Sequence, residues 1–173
     1  MKTSQLIYLI ILISVTGTMG YYFYPEKKLP VGAHIDSIVV FKSRRQLLAY
    51  SNGQIIKTYK ISLGKNPLGD KEFQGDKKTP EGVYFINGKN PYSVCYKNLG
   101  ISYPDQADIK FSQAKGKPAG GDIKIHGLLN GFGFIGKFQR WIDWTNGCIG
   151  VSDKEMEELY GAVQIGTKIE IKP

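Results

Sequence analysis

Two histidines and two cysteines are present in the 173-residue chain, and one of each stands beside glycine: His126 in GGDIKIHGLLNG and Cys148 in DWTNGCIGVS. A thiol attacks a carbonyl as thiolate, and a free cysteine, with a pKa of about 8.5, is only a few per cent ionised at neutral pH. An imidazole within reach can take that proton and later give it to a leaving group. Gly147 lets the backbone approach a substrate closely and frees amide hydrogens to face an oxyanion. Cys148 also lies shortly ahead of Ser152, where a helix is expected to start, and a helix N-terminus favours a nearby anion. By spacing alone three readings stay open. The pair is a nucleophile–base dyad, or His126 is a structural residue at a strand end, or Cys148 is paired with Cys95 in a disulfide.

Other chemistries have less support. His34, Cys95, His126 and Cys148 are scattered, with no paired ligand spacing of the kind zinc requires, so no metal is expected. No histidine or carboxylate cluster suits a Ser- or Asp/Glu-based hydrolase. Asp143 is a candidate to orient the loop before Cys148, with a turn cap as its simpler role.

The elements that must position these groups are mainly β. IDSIVVF from Ile35 and RQLLAY read as strands. Asn52-Gly53 then separates RQLLAY from QIIKTYKISLG, the signature of a tight hairpin. Residues 64–82 form a long Gly- and Pro-containing polar loop. VYFING (83–88) is a short strand, and PYSVCYKNLGISYP (91–104) is β-like again. DQADIKFSQAKG reads as a helix or a lid. DIKIHG is a short strand that ends at His126, and LLNGFGFIGKFQRWIDW is an aromatic, Gly-rich loop long enough to return over the site. Ser152 with Glu155 forms a capping box, so a helix begins there with Met156, Leu159, Tyr160 and Val163 on its core face. TKIEIKP closes the chain as a strand. The expected fold is mainly β with one or two short helices.

Three regions follow. Residues 1–24 are an apolar segment, 25–34 a linker (PEKKLPVGAH), and 35–173 a single domain. From Lys2 there is no charge until Glu26, and Leu6–Tyr24 is long enough as a helix, at ~1.5 Å per residue, to cross a ~30 Å hydrocarbon layer. Tyr21, Tyr22, Phe23 and Tyr24 would collect at the interface. The triplets Val15-Thr16-Gly17 and Thr18-Met19-Gly20 fit a cleavage site poorly, which favours an uncleaved anchor over a cleaved signal. The domain is therefore expected outside the cytoplasm, held at the cytoplasmic membrane. In an oxidising compartment a Cys95–Cys148 disulfide is permitted. The net charge of +8 suits an anionic surface or polymer, but the cations are dispersed and no nucleic-acid-binding motif is present.

IHG followed by a long loop and TNGCIGV resembles the active-site signature of the L,D-transpeptidase (YkuD-like) family. SIVVFKSRRQLLAYSNGQIIKTYKISLG is similar to that family's opening hairpin, KKTPEGVY to its Thr-Pro-Glu-Gly element, and LGISYPDQAD with PAGGDIKIHG to the approach to its histidine. The resemblance spans about Ile35 to Lys172. It implies a β-sandwich-like catalytic domain that needs no cofactor and acts on peptidoglycan tetrapeptide stems. Cys148 would attack the carbonyl that precedes the terminal D-alanine, giving a thioester, and His126 would act as base and then acid. The Gly127 carbonyl would hold the imidazole, and the amides of Gly147 and Cys148 would form the oxyanion hole. Thr145 would fix the turn and, with Asn146 and Tyr103, position substrate. A stem amine would then resolve the thioester into a 3-3 cross-link. A free D-amino acid, a protein lysine or water are the other acceptors, the last giving an L,D-carboxypeptidase, and cleavage of a protein–peptidoglycan link is a further variant. An inactive wall-binding module with a Cys95–Cys148 bridge is the alternative of another class. Two positions depart from the family pattern: Asn146 replaces a histidine found in many members, and Gly150 replaces an arginine.

Overall fold

A computed structural model describes residues 2–173. An apolar helix, α1 (Thr3–Phe23), precedes the domain; it buries no residue fully, and only Tyr21 and Tyr22 in its last turn are partly covered. It is long and apolar enough to cross a membrane. The domain opens with a meander of β1 (Ile35–Phe41), β2 (Gln46–Ser51) and β3 (Gln54–Lys60). Asn52 (φ 51°) and Gly53 (φ 74°) are both left-handed, which matches the twist of the strands they join.

β4 (Gly82–Ser93) and β5 (Tyr96–Ile101) form a second antiparallel pair. The sequence suggests that β4 stops at Gly88, but the strand continues to Ser93. Shifts in its register to β5 near Gly88 and beyond Asn90 absorb the Gly and Pro residues as bulges. Helix α2 (Gln106–Ala114) then forms because the Asp105 carboxylate accepts the N–H groups of Ala107 (2.7 Å) and Asp108 (2.9 Å). β6 (Lys124–His126), β7 (Ile149–Gly150), α3 (Asp153–Ala162) and β8 (Val163–Lys172) complete the chain. Between β6 and β7 the expected loop contains a 3-10 run, Gly133–Trp141, broken at Gly136, where φ is 50°. Such short i→i+3 turns carry no periodic apolar signal in the sequence.

The strand order is β3-β2-β1-β8-β4-β5-β6-β7. The last strand therefore lies in the middle, parallel to β1 and antiparallel to β4. The sheet curls until its edges meet. Leaving β3, Ser62 N–H donates to Gly150 O (2.9 Å) and Gly150 N–H donates to Ser62 O (2.8 Å), while Thr145 N–H donates to Leu63 O (3.1 Å). This closure sets the chain around Cys148 against the chain after β3.

The interior of the curl is filled by alternating strand residues such as Ile38, Val40, Leu47, Tyr84, Leu99, Ile125, Ile149 and Ile169, together with Met156 and Leu159 of α3. Burying each such side chain contributes about 1.5–3 kcal/mol. Met156, Leu159 and Val163 take the core positions expected of them, with Tyr160 half-buried at the margin. At the head of α3 the Glu155 carboxylate accepts both the Ser152 N–H (3.0 Å) and its hydroxyl (2.6 Å).

Candidate active site

β6 and β7 run parallel, with Ile125 opposite Ile149 and His126 opposite Gly150. Both isoleucines are fully buried and point into the core. Alternation then turns His126 to the other face of the sheet. Cys148, one residue ahead of β7, falls beside Lys124 and diagonal to His126. The sheet therefore brings the two residues to neighbouring strands, although 21 residues of intervening sequence (127–147) separate them.

The imidazole is nearly buried, and its Nδ1 lies 2.7 Å from Gly127 O. A carbonyl can only accept, so Nδ1 carries the hydrogen and Nε2 keeps its lone pair. Gly127 itself has no room for a side chain. A Cβ there would lie 2.7 Å from Asp153 Oδ1 and 2.9 Å from Tyr96 Cβ. Asp153, the first residue of α3, also accepts the Leu128 N–H at 2.8 Å, which pins the end of β6. Burial pushes the imidazole below its ordinary 6.5, against the opposing pull of the Gly127 carbonyl.

Cys148 is half-buried, and its Sγ donates to Asp122 O at 3.6 Å. Burial raises its pKa, only partly offset by the Lys124 N–H and ammonium. Burial thus disfavours the charged form of both groups. The sulfur donates to Asp122 O and Nδ1 of the ring to Gly127 O, and among the described residues no hydrogen bond joins Sγ to the imidazole. Such contacts commonly tighten only when substrate is bound. Cys95 is also a free thiol, raised by burial.

Thr145 is buried and ties the turn together: its hydroxyl donates to Cys148 O (2.7 Å) and accepts the Gly147 N–H (3.1 Å). The Gly147 amide is thus occupied at rest. Gly147 sits at φ 131°, and a Cβ there would lie 2.7 Å from Lys78 O, so the turn requires glycine. Asn146 is exposed and lines a cleft with Lys71, Gln74, Lys77 and Ile123 on one side of Cys148. Tyr103 lines a second cleft with Asn87, Lys89, Asn98, Asp122 and Lys124. Its ring is buried and its hydroxyl donates to Ala119 O at 3.1 Å. Asp143 does not cap its own turn. It receives Arg45 Nη2 at 2.7 Å and Leu63 N–H at 2.9 Å, tying the loop to the closure of the sheet.

The sequence reading missed a group that surrounds the histidine. Trp144 stands edge-on to His126, with ring centroids 5.3 Å apart. Its indole N–H donates to Gln139 Oε1 (3.1 Å), which also accepts the Ser62 hydroxyl (2.6 Å). These three residues account for Gly150. A Cβ at that position would lie 2.4 Å from Ser62 Oγ and 3.1 Å from the indole. The one available signal was the position of Trp144, directly before the Thr-Asn-Gly-Cys turn.

A curled β domain carrying a histidine on one short strand and a cysteine just ahead of the neighbouring strand defines the class. The family model for YkuD, the L,D-transpeptidase catalytic domain, matches residues 35–171, and the chain belongs to that family. Among curated proteins it is 38% identical over 77 residues to the putative L,D-transpeptidase YafK of Escherichia coli (strain K12), a match that covers 41% of this chain and 31% of that protein. Among solved structures it is similar to the helical cell shape determining protein Pgp2 from Campylobacter jejuni, with a TM-score of 0.61 and 25% identity over 82% of this chain and 49% of that one. An L,D-transpeptidase from Mycobacterium smegmatis shares the fold, with a TM-score of 0.53 at 15% identity, over 82% of this chain and 60% of that one. The matches thus span about a third of the curated relative and about half of the cell-shape protein.

Proposed function

We propose that this chain is an exported cysteine acyltransferase acting on peptidoglycan tetrapeptide stems. The observation that carries the reading is the Nδ1–Gly127 O contact, which leaves His126 Nε2 as a base on the strand beside Cys148. In the first half-reaction Nε2 takes the thiol proton as Sγ adds to the carbonyl between the stem's third-position diamino acid and the terminal D-alanine. The tetrahedral oxyanion is received by the amide of Cys148 and by that of Gly147, once the latter turns from Thr145 Oγ1. The imidazolium then protonates the leaving nitrogen, D-alanine departs and a thioester remains on Cys148. In the second half-reaction His126 takes a proton from the incoming amine as that nitrogen adds to the thioester, the C–S bond breaks to leave a new amide, and the imidazolium returns the proton to Cys148 Sγ. With a neighbouring stem's amine the product is a 3-3 cross-link.

We assign donor and acceptor to the two clefts, which share Ile123 in their linings. Asn146 lines the first and Tyr103 the second, while Thr145 fixes the turn through Cys148 O and the Gly147 N–H. Both cysteines being free supports an enzyme over a disulfide-locked wall-binding module. Membership of a peptidoglycan-acting family, with α1 ahead of the domain, supports an extracytoplasmic site of action at the membrane. The likeness to a cell-shape protein supports a part in shaping the wall.

Incubation of the full chain with purified tetrapeptide muropeptides, followed by mass analysis of the products, tests the reading. Loss of D-alanine with formation of 3-3 dimers supports it. D-alanine loss without dimers reassigns the acceptor to water, and D-amino-acid exchange reassigns it to a free amine. Unchanged tetrapeptides contradict the reading.

A further inference from the structure

Beyond the reaction at Cys148, the aromatic loop between β6 and β7 presents an unexplained surface. Phe132, Phe134, Trp141 and Ile142 are 47%, 71%, 62% and 70% exposed. Four large apolar side chains on one loop are more than scattered surface residues, and such a patch on a soluble face marks an interaction site.

What it faces is set by its continuity with α1. Tyr21 packs against Phe138 and Trp141, with ring centroids 5.9 and 5.5 Å apart, and Tyr22 stacks on Phe138 at 5.2 Å. The Tyr22 hydroxyl donates to Phe134 O at 2.7 Å. Lys137 Nζ donates to the carbonyls of Tyr21 and Tyr24, at the end of α1. Gly136 permits the approach, since a Cβ there would lie 3.1 Å from the Tyr22 ring. The loop is thus fastened to the last turn of the helix, at the level where that helix would leave the hydrocarbon. Phe23 and Tyr24 are themselves exposed there. Aromatic rings with polar edges concentrate at that depth.

The charges agree. Lys27, Lys28 and Lys154 line the cleft between the exit of α1 and the domain and, among the described residues, take part in no ion pair, while three of the four carboxylates of that cleft are paired, Glu26 and Glu155 with Arg140 and Glu158 with Lys57. A cluster of unpaired lysines beside an apolar patch complements anionic headgroups, at about 1 kcal/mol for each cation near such a surface.

We propose that the 132–142 loop and the end of α1 form one membrane-interface surface, which seats the domain on an anionic lipid bilayer instead of letting it swing on the 25–34 linker. Trp141 and Phe134 enter the headgroup–acyl boundary, and the lysines meet the phosphates. The proposal rests on α1 being inserted in the bilayer, independently of the chemistry at Cys148.

The chain contains two tryptophans, which makes the test direct. Full-length protein is reconstituted into phosphatidylethanolamine–phosphatidylglycerol vesicles whose acyl chains are brominated near the glycerol. Carbonate extraction reports insertion of α1, and tryptophan quenching reports the loop. The expected result is carbonate-resistant protein in which W144F, leaving Trp141 alone, is strongly quenched. In W141F, leaving Trp144 alone, quenching is lost, and circular dichroism confirms that both variants are folded. Carbonate-extractable protein overturns the insertion of α1 and the proposal with it. Resistant protein with W144F quenched no more than in unbrominated vesicles overturns the seating of the loop alone.

Discussion

The indole of Trp144 stands at 75° to the imidazole of His126, with the ring centroids 5.3 Å apart and the indole N–H held by Gln139. The ring proposed as the proton acceptor is thereby covered by an aromatic edge, and burial is the leading cause of its lowered pKa. Trp144→Ala opens that cover to water. The expected outcome is an imidazole pKa that rises towards 6.5, followed by NMR titration of the His126 ring. An unchanged titration would show that the cover has no electrostatic consequence.

Burial that disfavours both charged forms has a kinetic signature. Proton acceptance needs unprotonated imidazole, whose pKa lies below 6.5, so kcat/KM should rise with pH along one acid limb centred below that value and then level off. Raised thiol ionisation on the alkaline side does not remove the base. A bell whose alkaline limb reports loss of an imidazolium would indicate a preformed thiolate–imidazolium pair. The same shift makes folding sensitive to acid. A folded pKa below the unfolded one contributes stability above the unfolded value and loses it as pH falls.

Gly150 is fixed by what lies over it. Gly150→Arg drives a side chain into Ser62 Oγ and the Trp144 ring, a clash of the overpacking kind that costs about 1–3 kcal/mol. The expected result is a lowered Tm for Gly150→Arg and partial recovery when Trp144→Ala is added. An undiminished Tm in the single variant would mean that the indole moves aside freely.

The 71–78 loop beside Asn146 is organised by one carboxylate. Asp76 accepts Lys71 Nζ (2.7 Å) and Lys78 N–H (3.0 Å) on Oδ1, and Glu72 N–H (2.7 Å) and Phe73 N–H (3.2 Å) on Oδ2. Burial alone would raise its pKa, but the Lys71 ammonium and the three amides outweigh it, and the net shift is downward. Its contribution is therefore complete above 3.8 and is lost as pH falls through the lowered value. Asp76→Ala leaves the Lys71 ammonium buried and unpaired, and about 3–5 kcal/mol of stability should disappear in urea denaturation. A loss under 1 kcal/mol would place the loop's order elsewhere.

What is legible in the sequence is local. Asn52-Gly53 specifies its own turn, Ser152 with Glu155 specifies the start of α3, and Met156 and Leu159 declare a buried face. The order of the sheet is not local. β8 enters between β1 and β4 only because its alternating isoleucines complete a core built by strands far away in the chain. Closure of the curl through Ser62 and Gly150 is equally remote, and with it the packing of Gln139 and Trp144 around His126. The candidate residues His126 and Cys148 can be picked out from residue type and from likeness to a family. That one lies under an indole and the other leans on Asp122 O could not be read, because both facts depend on strand register.

In the proposed reaction Cys148 Sγ carries the acyl group and the His126 imidazole moves its proton. Acid-quenched intact-mass analysis of the full chain during turnover of a tetrapeptide stem tests this most directly. The expected species is a covalent adduct equal in mass to the stem without its D-alanine, mapped to Cys148. It should be absent in Cys148→Ala and accumulate at least about 100-fold more slowly in His126→Ala. D-alanine release by Cys148→Ala, or turnover by the native chain through an adduct on any other residue, would contradict it.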